Sequence, residues 1–171
     1  MAILFEKGLG TVNRSGHRDT FTRDSLPPAP LWPDFSLDDR RFAYPARLNC
    51  VSALLDRWIA EGLGERPCLI APGGAWTYGE LAERVNRIAN VLVDRLGLVS
   101  GNRVLLRAAN SPMLVATYLA VMKAGGVAVA TMPLLRSREL AQAIEAARVG
   151  LALCDADCSE SWRRRASWRP V

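Results

Sequence analysis

The residues best suited to chemistry lie together near the end of the regular part of the chain. Cys154, Asp155, Asp157 and Cys158 bring thiols and carboxylates close to one another. Structural zinc sites usually combine two close pairs of ligands, and the sequence offers no second pair, so we assign no metal site here. The spacing instead favours Cys154 as a core residue at the end of a strand. Asp155 and Asp157 follow that strand, where a parallel sheet can contact a ligand, but without partners they are simply loop acids.

Neither a catalytic triad nor a phosphate-binding loop can be recognised. His17 is the only histidine and lies in an irregular region, which predicts a solvated side chain. Gly8–Gly10 is followed by Asn13 where a dinucleotide-binding fingerprint has its third glycine. Gly125–Gly126 follows a helix and precedes a strand, which is typical of a helix stop and a sharp turn. The sequence therefore assigns no catalytic, cofactor-binding or metal-ligating residue.

Composition indicates a globular chain with one domain of ordinary size. It has 171 residues, of which 50% are hydrophobic and 23% are charged. Its net charge of +5 comes almost entirely from arginine, because Lys7 and Lys123 are the only lysines. The arginines are scattered apart from Arg163–Arg165, so the basic stripe of a nucleic-acid-binding protein is missing and we expect no nucleic-acid partner.

The cysteines and the apolar segments bear on where the chain functions. Four cysteines do not form a disulfide framework at this length, and Met1–Gly10 lacks the features of a signal peptide. Pro112–Leu135 is the most apolar stretch, but Lys123 and two glycines at its middle favour a helix, a turn and a buried strand over a membrane span. We expect a cytoplasmic protein without a membrane partner.

Hydrophobic periodicity predicts alternating strands and helices with short turns between them. Thr77 and Glu80 form a capping box that opens a helix, and Ser111-Pro112 opens another. The predicted elements are a helix over Leu48–Ile59, a hairpin over Cys68–Thr77, a helix ending at Gly97, a strand over Arg103–Arg107, a helix to Ala124, a strand over Val127–Met132 buried on both faces, a helix over Glu139–Val149 and a strand over Gly150–Cys154. This order predicts an α/β fold with a layered, mostly parallel sheet and crossover helices.

Three regions are predicted along the chain. Residues 1–45 are an irregular arm rich in proline and aromatic residues. We expect its aromatic side chains to pack onto a neighbouring surface, and the alternative is that the part up to Ser25 is a loose leader. Residues 46–158 form the α/β lobe. Residues 159–171 are an atypical tail rich in arginine and tryptophan, without apolar periodicity. A tail that is unrelated to the fold explains it more simply than a phosphate-binding or RNA-binding element does.

Three motifs, in their order along the chain, resemble the AMP-forming acyl- and aryl-CoA ligases, which are adenylate-forming enzymes. Trp76–Leu81 resembles the Thr-Tyr-x-Glu-Leu segment of that family, and Gly101–Val104 resembles its Gly-Asp-Arg-Val strand entry. Lys123–Gly126, followed by Pro133, resembles its Lys-Ala-Gly-Gly turn. The resemblance covers roughly residues 46–158 and implies the first part of the family's N-terminal domain.

Finer features resemble the aryl branch of the family, in particular 2-aminobenzoate–CoA and benzoate–CoA ligases. They lie in Asp19–Phe21, Asp24–Pro28, Tyr44–Asn49 and Ala130–Arg136. Many other relatives carry an Asp or Asn soon after the proline of this last segment, whereas this chain has Leu134-Leu135. The substrate therefore rests on resemblance alone.

The resemblance implies a reaction in which a carboxylate attacks the α-phosphate of ATP, after which CoA displaces AMP. The full-length enzyme would use ATP, Mg²⁺ and CoA, and its phosphate loop, ribose-binding acid and catalytic lysine match no segment here. Lys123 belongs to the structural turn and is not that lysine. We therefore expect a truncated N-terminal lobe, ended by a frame change near Ser159, that binds no cofactor and is not catalytic alone.

Two other interpretations stay open at this point. The chain could be a non-enzymatic α/β interaction module that uses its proline-aromatic arm or its basic tail. It could also be one part of a split ligase whose remainder is a separate polypeptide. In the ligase interpretations the expected partners are the remainder of the enzyme or a second copy of the lobe, because the isolated lobe would expose a strand edge and apolar helix faces.

Overall fold

The fold is centred on strand β3 (Arg103–Arg107), which pairs in parallel with β4 (Val127–Thr131) on one side and β5 (Leu151–Cys154) on the other. The computed structural model describes residues 16–33, 45 and 47–158. A separate antiparallel hairpin is formed by β1 (Pro67–Ala71) and β2 (Gly74–Thr77). The α/β class and the mostly parallel sheet expected from the sequence are thus confirmed.

Five α-helices accompany these strands within the described residues. They are α1 (Phe21–Asp24), α2 (Arg57–Ala60), α3 (Tyr78–Asn90), α4 (Pro112–Lys123) and α5 (Ser137–Ala146). A π-helical turn, Ser52–Asp56, leads directly into α2, and a second one, Val91–Arg95, extends α3. Single 3₁₀ turns occur at Ala29–Leu31 and Ala156–Cys158. In these residues no helix is long and apolar enough to cross a membrane.

The helix boundaries follow from the local sequence. Thr77 Oγ1 accepts a hydrogen bond from the Glu80 backbone N–H at 3.2 Å, and Glu80 Oε2 accepts one from the Thr77 backbone N–H at 2.9 Å, which confirms the capping box. Ser111 caps α4 through Leu114 N–H, as predicted. Gly97 has a positive φ of 64°, so the helical region before it ends where the sequence indicated.

The central strand carries apolar layers on both of its faces. Val104 and Leu106 pack in a buried cluster with α3 and α4, whereas Leu105 is buried outside that cluster. The chain moves from β3 to β4 and then crosses to β5 on the opposite side. Right-handed crossovers in opposite directions place α4 and α5 on opposite faces of the sheet. The central strand, β3, is therefore covered by helices on both faces of the sheet.

Burial differs from the sequence expectation in two elements. Val127–Met132 was expected to be buried on both faces, but β4 pairs only with β3 among the described strands and is half-buried. On the helix predicted over Leu48–Ile59, Leu54 is exposed, since the π-helical turn there changes the angular spacing of the side chains. Val51 and Leu55 are the two fully buried residues of this predicted helix.

The arm and the tail are described only in part. The arm contains the single turn α1 rather than wholly irregular backbone, and Phe21 packs against the lobe. The prediction that the arm packs was based on Trp32, Phe35, Phe42 and Tyr44, and the last three lie outside the described residues, as does the tail at 159–171. The three regional boundaries stay predictions.

The contrast between core and surface leucines can be tested with matched variants. Leu105→Ala removes a side chain that is fully buried in β3, and we expect the free energy of unfolding to fall by about 3 kcal/mol. Leu134→Ala alters a side chain that is 83% exposed, and we expect a change below about 0.5 kcal/mol. Urea unfolding followed by circular dichroism measures both. Similar losses in the two variants would contradict the assigned core.

Candidate functional site

An open cleft of about 140 Å³ lies at the carboxyl end of the parallel sheet. Its walls are the end of β3, the end of β5 and the first turns of α4, and it is lined by Leu106, Arg107, Ala108, Ser111, Met113, Leu114, Thr117, Leu153, Cys154 and Asp155. Open α/β sheets bind ligands at the carboxyl ends of their strands, where the direction of strand addition reverses. Here the reversal falls between β3 and β5, so this cleft is the candidate functional site.

The helix start that borders the cleft offers few free donors. Pro112 has no backbone N–H, and the N–H of Leu114 is bound by Ser111 Oγ at 3.1 Å. A helix N-terminus binds anions through such N–H groups, so the local sequence that caps α4 also reduces its capacity to hold a phosphate. The N-terminal N–H groups of α4 are therefore used mainly for capping the helix itself.

The other polar groups of the cleft are engaged in local structure. Thr117 Oγ1 donates to Met113 O at 2.8 Å, and Asp155 Oδ1 accepts from the Asp157 N–H at 3.2 Å. Cys154 is exposed, which makes the prediction of a strand-end core residue wrong, because β5 ends at the rim of the cleft. Partial desolvation of the sulfur and the neighbouring Cys158 raise the pKa of the Cys154 thiol.

Arg107 forms the floor of the cleft on the α5 side of the sheet. It is only 4% exposed, and its Nη2 donates to Pro133 O at 2.6 Å and to Leu135 O at 3.0 Å. Both carbonyls belong to the loop between β4 and α5. The guanidinium therefore fixes the path of that loop next to the cleft.

Arg103 has the corresponding position at the amino end of β3. Its Nε donates to Ala147 O at 2.9 Å and its Nη2 donates to Arg148 O at 3.0 Å, both at the C-terminal end of α5. Its Nη1 donates to Gly101 O at 2.9 Å and also pairs with the Asp19 carboxylate. One buried side chain thus joins the sheet, the end of α5 and the arm.

The Asp19 carboxylate is held by three donors. They are Arg103 Nη1, the Phe21 backbone N–H at 3.0 Å and Asn102 Nδ2 at 2.8 Å. The hydrogen bond from Arg103 is the main cause that lowers the pKa of Asp19 from 3.8 to about 2. The carboxylate is therefore ionised at every physiological pH.

Of the residues weighed from the sequence, Cys154 and Asp155 line the cleft, whereas Lys123 and His17 lie apart from it. Lys123 Nζ pairs with Asp56 Oδ1 at 2.7 Å, and Lys123 O accepts from Asn49 Nδ2 at 2.9 Å, which confirms that it belongs to the structural turn. Burial acts to raise the pKa of Asp56, but hydrogen bonds from Lys123 and Ser52 outweigh it and the pKa is lowered. His17 is half-buried beside Gly101, not solvated as predicted.

The donor set for a metal-nucleotide complex is not found in the described part of the chain. Among residues 16–33, 45 and 47–158, no three His, Cys, Asp or Glu side chains lie close enough together to hold a metal ion. The absence of an assigned catalytic residue stays a prediction.

Sequence reasoning missed the importance of Arg103, Arg107 and Asp19. A signal was present, since two arginines flank an apolar strand at an even spacing and therefore share one face. A strand covered on both faces must provide partners for such charges. Those partners are backbone carbonyls and, for Arg103, the Asp19 carboxylate, and no sequence pattern identifies them.

The lowered pKa of Asp19 predicts a defined pH dependence. Because the folded-state pKa lies below the ordinary value, ionised Asp19 stabilises the fold above about pH 4, and this contribution is lost as the pH falls toward about 2. We expect Asp19→Asn to be less stable than the parent chain in urea at neutral pH. The difference should shrink below about pH 4. The matched control is Asp24→Asn in the same segment, and a pH-independent difference for Asp19→Asn would contradict the assignment.

Comparison with known proteins gives a consistent result. The sequence profile of the AMP-binding enzyme family matches residues 56–168. The 3-hydroxybenzoate–CoA ligase of Aromatoleum sp. (strain CIB) is 34% identical over 110 residues, which cover 64% of this chain and 21% of that protein. The benzoate–CoA ligase of Thauera aromatica is 36% identical over 91 residues, covering 53% of this chain and 17% of that protein.

The fold is also shared with a solved structure. The crystal structure of the anthranilate CoA ligase AuaEII in complex with anthranoyl-AMP superposes with a TM-score of 0.64 at 24% identity, covering 70% of this chain and 23% of that one. The chain spans about a fifth of the length of the curated relatives it matches. With a family profile matched over more than half of its residues, the chain belongs to the AMP-binding enzyme family of adenylate-forming ligases.

Proposed function

We propose that this chain forms the N-terminal scaffold lobe of an ATP-dependent, AMP-forming aryl-CoA ligase. The enzyme would join a benzoate-type or 2-aminobenzoate-type carboxylate to CoA and release AMP and pyrophosphate. Family membership and the benzoate-type acids named in two relatives support this class of substrate. The 2-aminobenzoate part rests on the resemblance of Asp19–Phe21 and Ala130–Arg136. Because the reaction consumes ATP and CoA, we expect it in the cytoplasm.

One observation carries the scaffold role: exposed apolar side chains form a rim at the carboxyl end of the sheet, next to the cleft. Met113 is 50% exposed, Met132 62% and Leu134 83%, and all three lie at the carboxyl end of the sheet. Exposed apolar side chains clustered at one end of a sheet are typical of a covered surface. We infer that the remainder of the ligase covers this rim and that the cleft is one wall of the larger enzyme.

The chemistry explains why a wall is useful. Attack of a carboxylate on the α-phosphate of ATP depends on positioning and on neutralising the charge of the phosphates. Residues outside the described lobe would supply the charge. The lobe would supply a rigid surface, since Arg107 ties the β4–α5 loop to the central strand beside the cleft.

A first prediction concerns the isolated chain. With benzoate, 2-aminobenzoate or 3-hydroxybenzoate, ATP, Mg²⁺ and CoA, we expect no carboxylate-dependent release of pyrophosphate, because the described residues provide no phosphate-binding set. A longer product that contains these residues should release pyrophosphate with these acids and not with acetate. A coupled pyrophosphate assay measures both, with the Thauera aromatica benzoate–CoA ligase as positive control. Turnover by the 171-residue chain alone would contradict the scaffold role.

A second prediction uses a chimera. Residues 47–158 replace the corresponding segment of the Aromatoleum 3-hydroxybenzoate–CoA ligase. If the lobe is a scaffold, we expect 3-hydroxybenzoyl-CoA formation within about tenfold of the parent enzyme, a loss of about 1.4 kcal/mol in transition-state stabilisation at most. The matched control is the same chimera with Arg107→Met, which should lose stability and activity together. A chimera that folds, as judged by circular dichroism, but forms no thioester would show that the lobe does not perform this role.

A further inference from the structure

The segment His17–Asp24, which we call the strap, is held against the lobe by a small set of contacts. The backbone N–H groups of Arg18 and Asp19 both donate to Ser100 O, at 3.1 and 2.9 Å. The Asp19 side chain accepts from Asn102 and pairs with Arg103. The single helical turn of the strap, α1, contains no fully buried residue. The strap therefore docks through a few specific groups rather than through a shared core.

An aromatic ring provides the second part of the contact. The Phe21 ring lies under two guanidinium groups, with Arg103 Cζ 4.7 Å and Arg148 Cζ 4.5 Å from its centre. Arginine over an aromatic face is attractive, and more so when the pair is partly desolvated. Arg103 thus binds the carboxylate of Asp19 and the ring of Phe21 with the same side chain.

The receiving surface is shaped for close approach of a peptide backbone. Gly101 has a φ of 93°, and a Cβ atom at this position would lie 2.1 Å from Asp19 O and 2.9 Å from His17 Cβ. A side chain larger than hydrogen at Gly101 would therefore displace the strap. Arg148, whose guanidinium also lies over Phe21, has a positive φ of 46°. The glycine at Gly101, the buried guanidinium of Arg103 and the guanidinium of Arg148 together define a site.

We propose that Gly101, Arg103 and Arg148 form a recognition site for a peptide segment of the type Asp-x-Phe. In this chain Asp19–Phe21 fills the site reversibly, and a separate peptide with the same residues can fill it in trans. The site goes beyond the proposed ligase role, since it does not depend on any reaction. Arg103 also donates hydrogen bonds to Ala147 O and Arg148 O. Occupancy of the site by the strap therefore stabilises the turn between α5 and β5.

The test uses the full chain and a fluorescein-labelled peptide of residues 16–26. In the chain carrying Asp19→Ala and Phe21→Ala the site is empty, and we expect peptide binding by fluorescence anisotropy. The parent chain should bind the peptide at least tenfold more weakly, because its own strap competes. A peptide with the same two substitutions should not bind. Adding Gly101→Ala to the emptied chain should abolish binding, whereas Gly97→Ala should not, since Gly97 also has a positive φ but no atom within 4 Å of its Cβ position.

Two results would overturn the proposal. Equal binding of the peptide to the parent, emptied and Gly101→Ala chains would show attraction to the basic surface only. No binding to a folded emptied chain would show that the surface does not recognise the motif.

Hydrogen exchange of the parent chain tests reversibility without any variant. We expect the Arg18 and Asp19 amides to exchange at least tenfold faster than the β3 amides under native conditions, because the strap opens while the sheet stays formed. Exchange of the strap and β3 amides at one common rate would make the strap part of the cooperative core. That result, or failure of the emptied chain to fold, would also overturn the proposal.

Discussion

Two guanidinium groups buried on one face of the central strand impose the main constraint on this lobe. Arg103 and Arg107 share a face of β3 with Leu105, and both lie beneath the crossover that contains α5. An unpaired charge in such a layer costs several kcal/mol, well above the roughly 1 kcal/mol net gain of one hydrogen bond. The crossover must therefore bring its carbonyl groups to the arginines. It does so at both ends, with Arg107 holding the loop before α5 and Arg103 the residues after it.

The opposite face of the sheet is organised mainly by apolar packing. There Val104 and Leu106 contact α3 and α4, and the tight turn at Gly125–Gly126 brings the next strand back into register with β3. One face is thus fixed by shape and the other by directed polar contacts. Together they fix the carboxyl end of the sheet, which the proposed scaffold role requires.

Much of the fold could be predicted because its signals are local. The bounds of β3 are those expected, since an apolar run between two arginines and a following capping serine leaves few alternatives. The capping box at Thr77 and the helix end at Gly97, which has a positive φ, likewise follow from the local sequence. The errors concern burial. The apolar run of β4 resembles an interior strand, yet its position at the side of the sheet depends on which strand pairs with it.

Most of the candidate site could not be predicted, because its parts are distant in the chain. By itself the sequence determined the elements with their caps and turns, which depend on neighbouring residues, and the parallel alternation and the family, which depend on the order of such local motifs along the chain. Tertiary structure alone decided that Arg107 would meet Pro133 O, and that Arg103 would meet Asp19 from a segment more than 80 residues earlier. The physical reason is that a buried cation requires some acceptor, but its charge does not specify which one, and only the packed chain brings a particular carbonyl or carboxylate within reach.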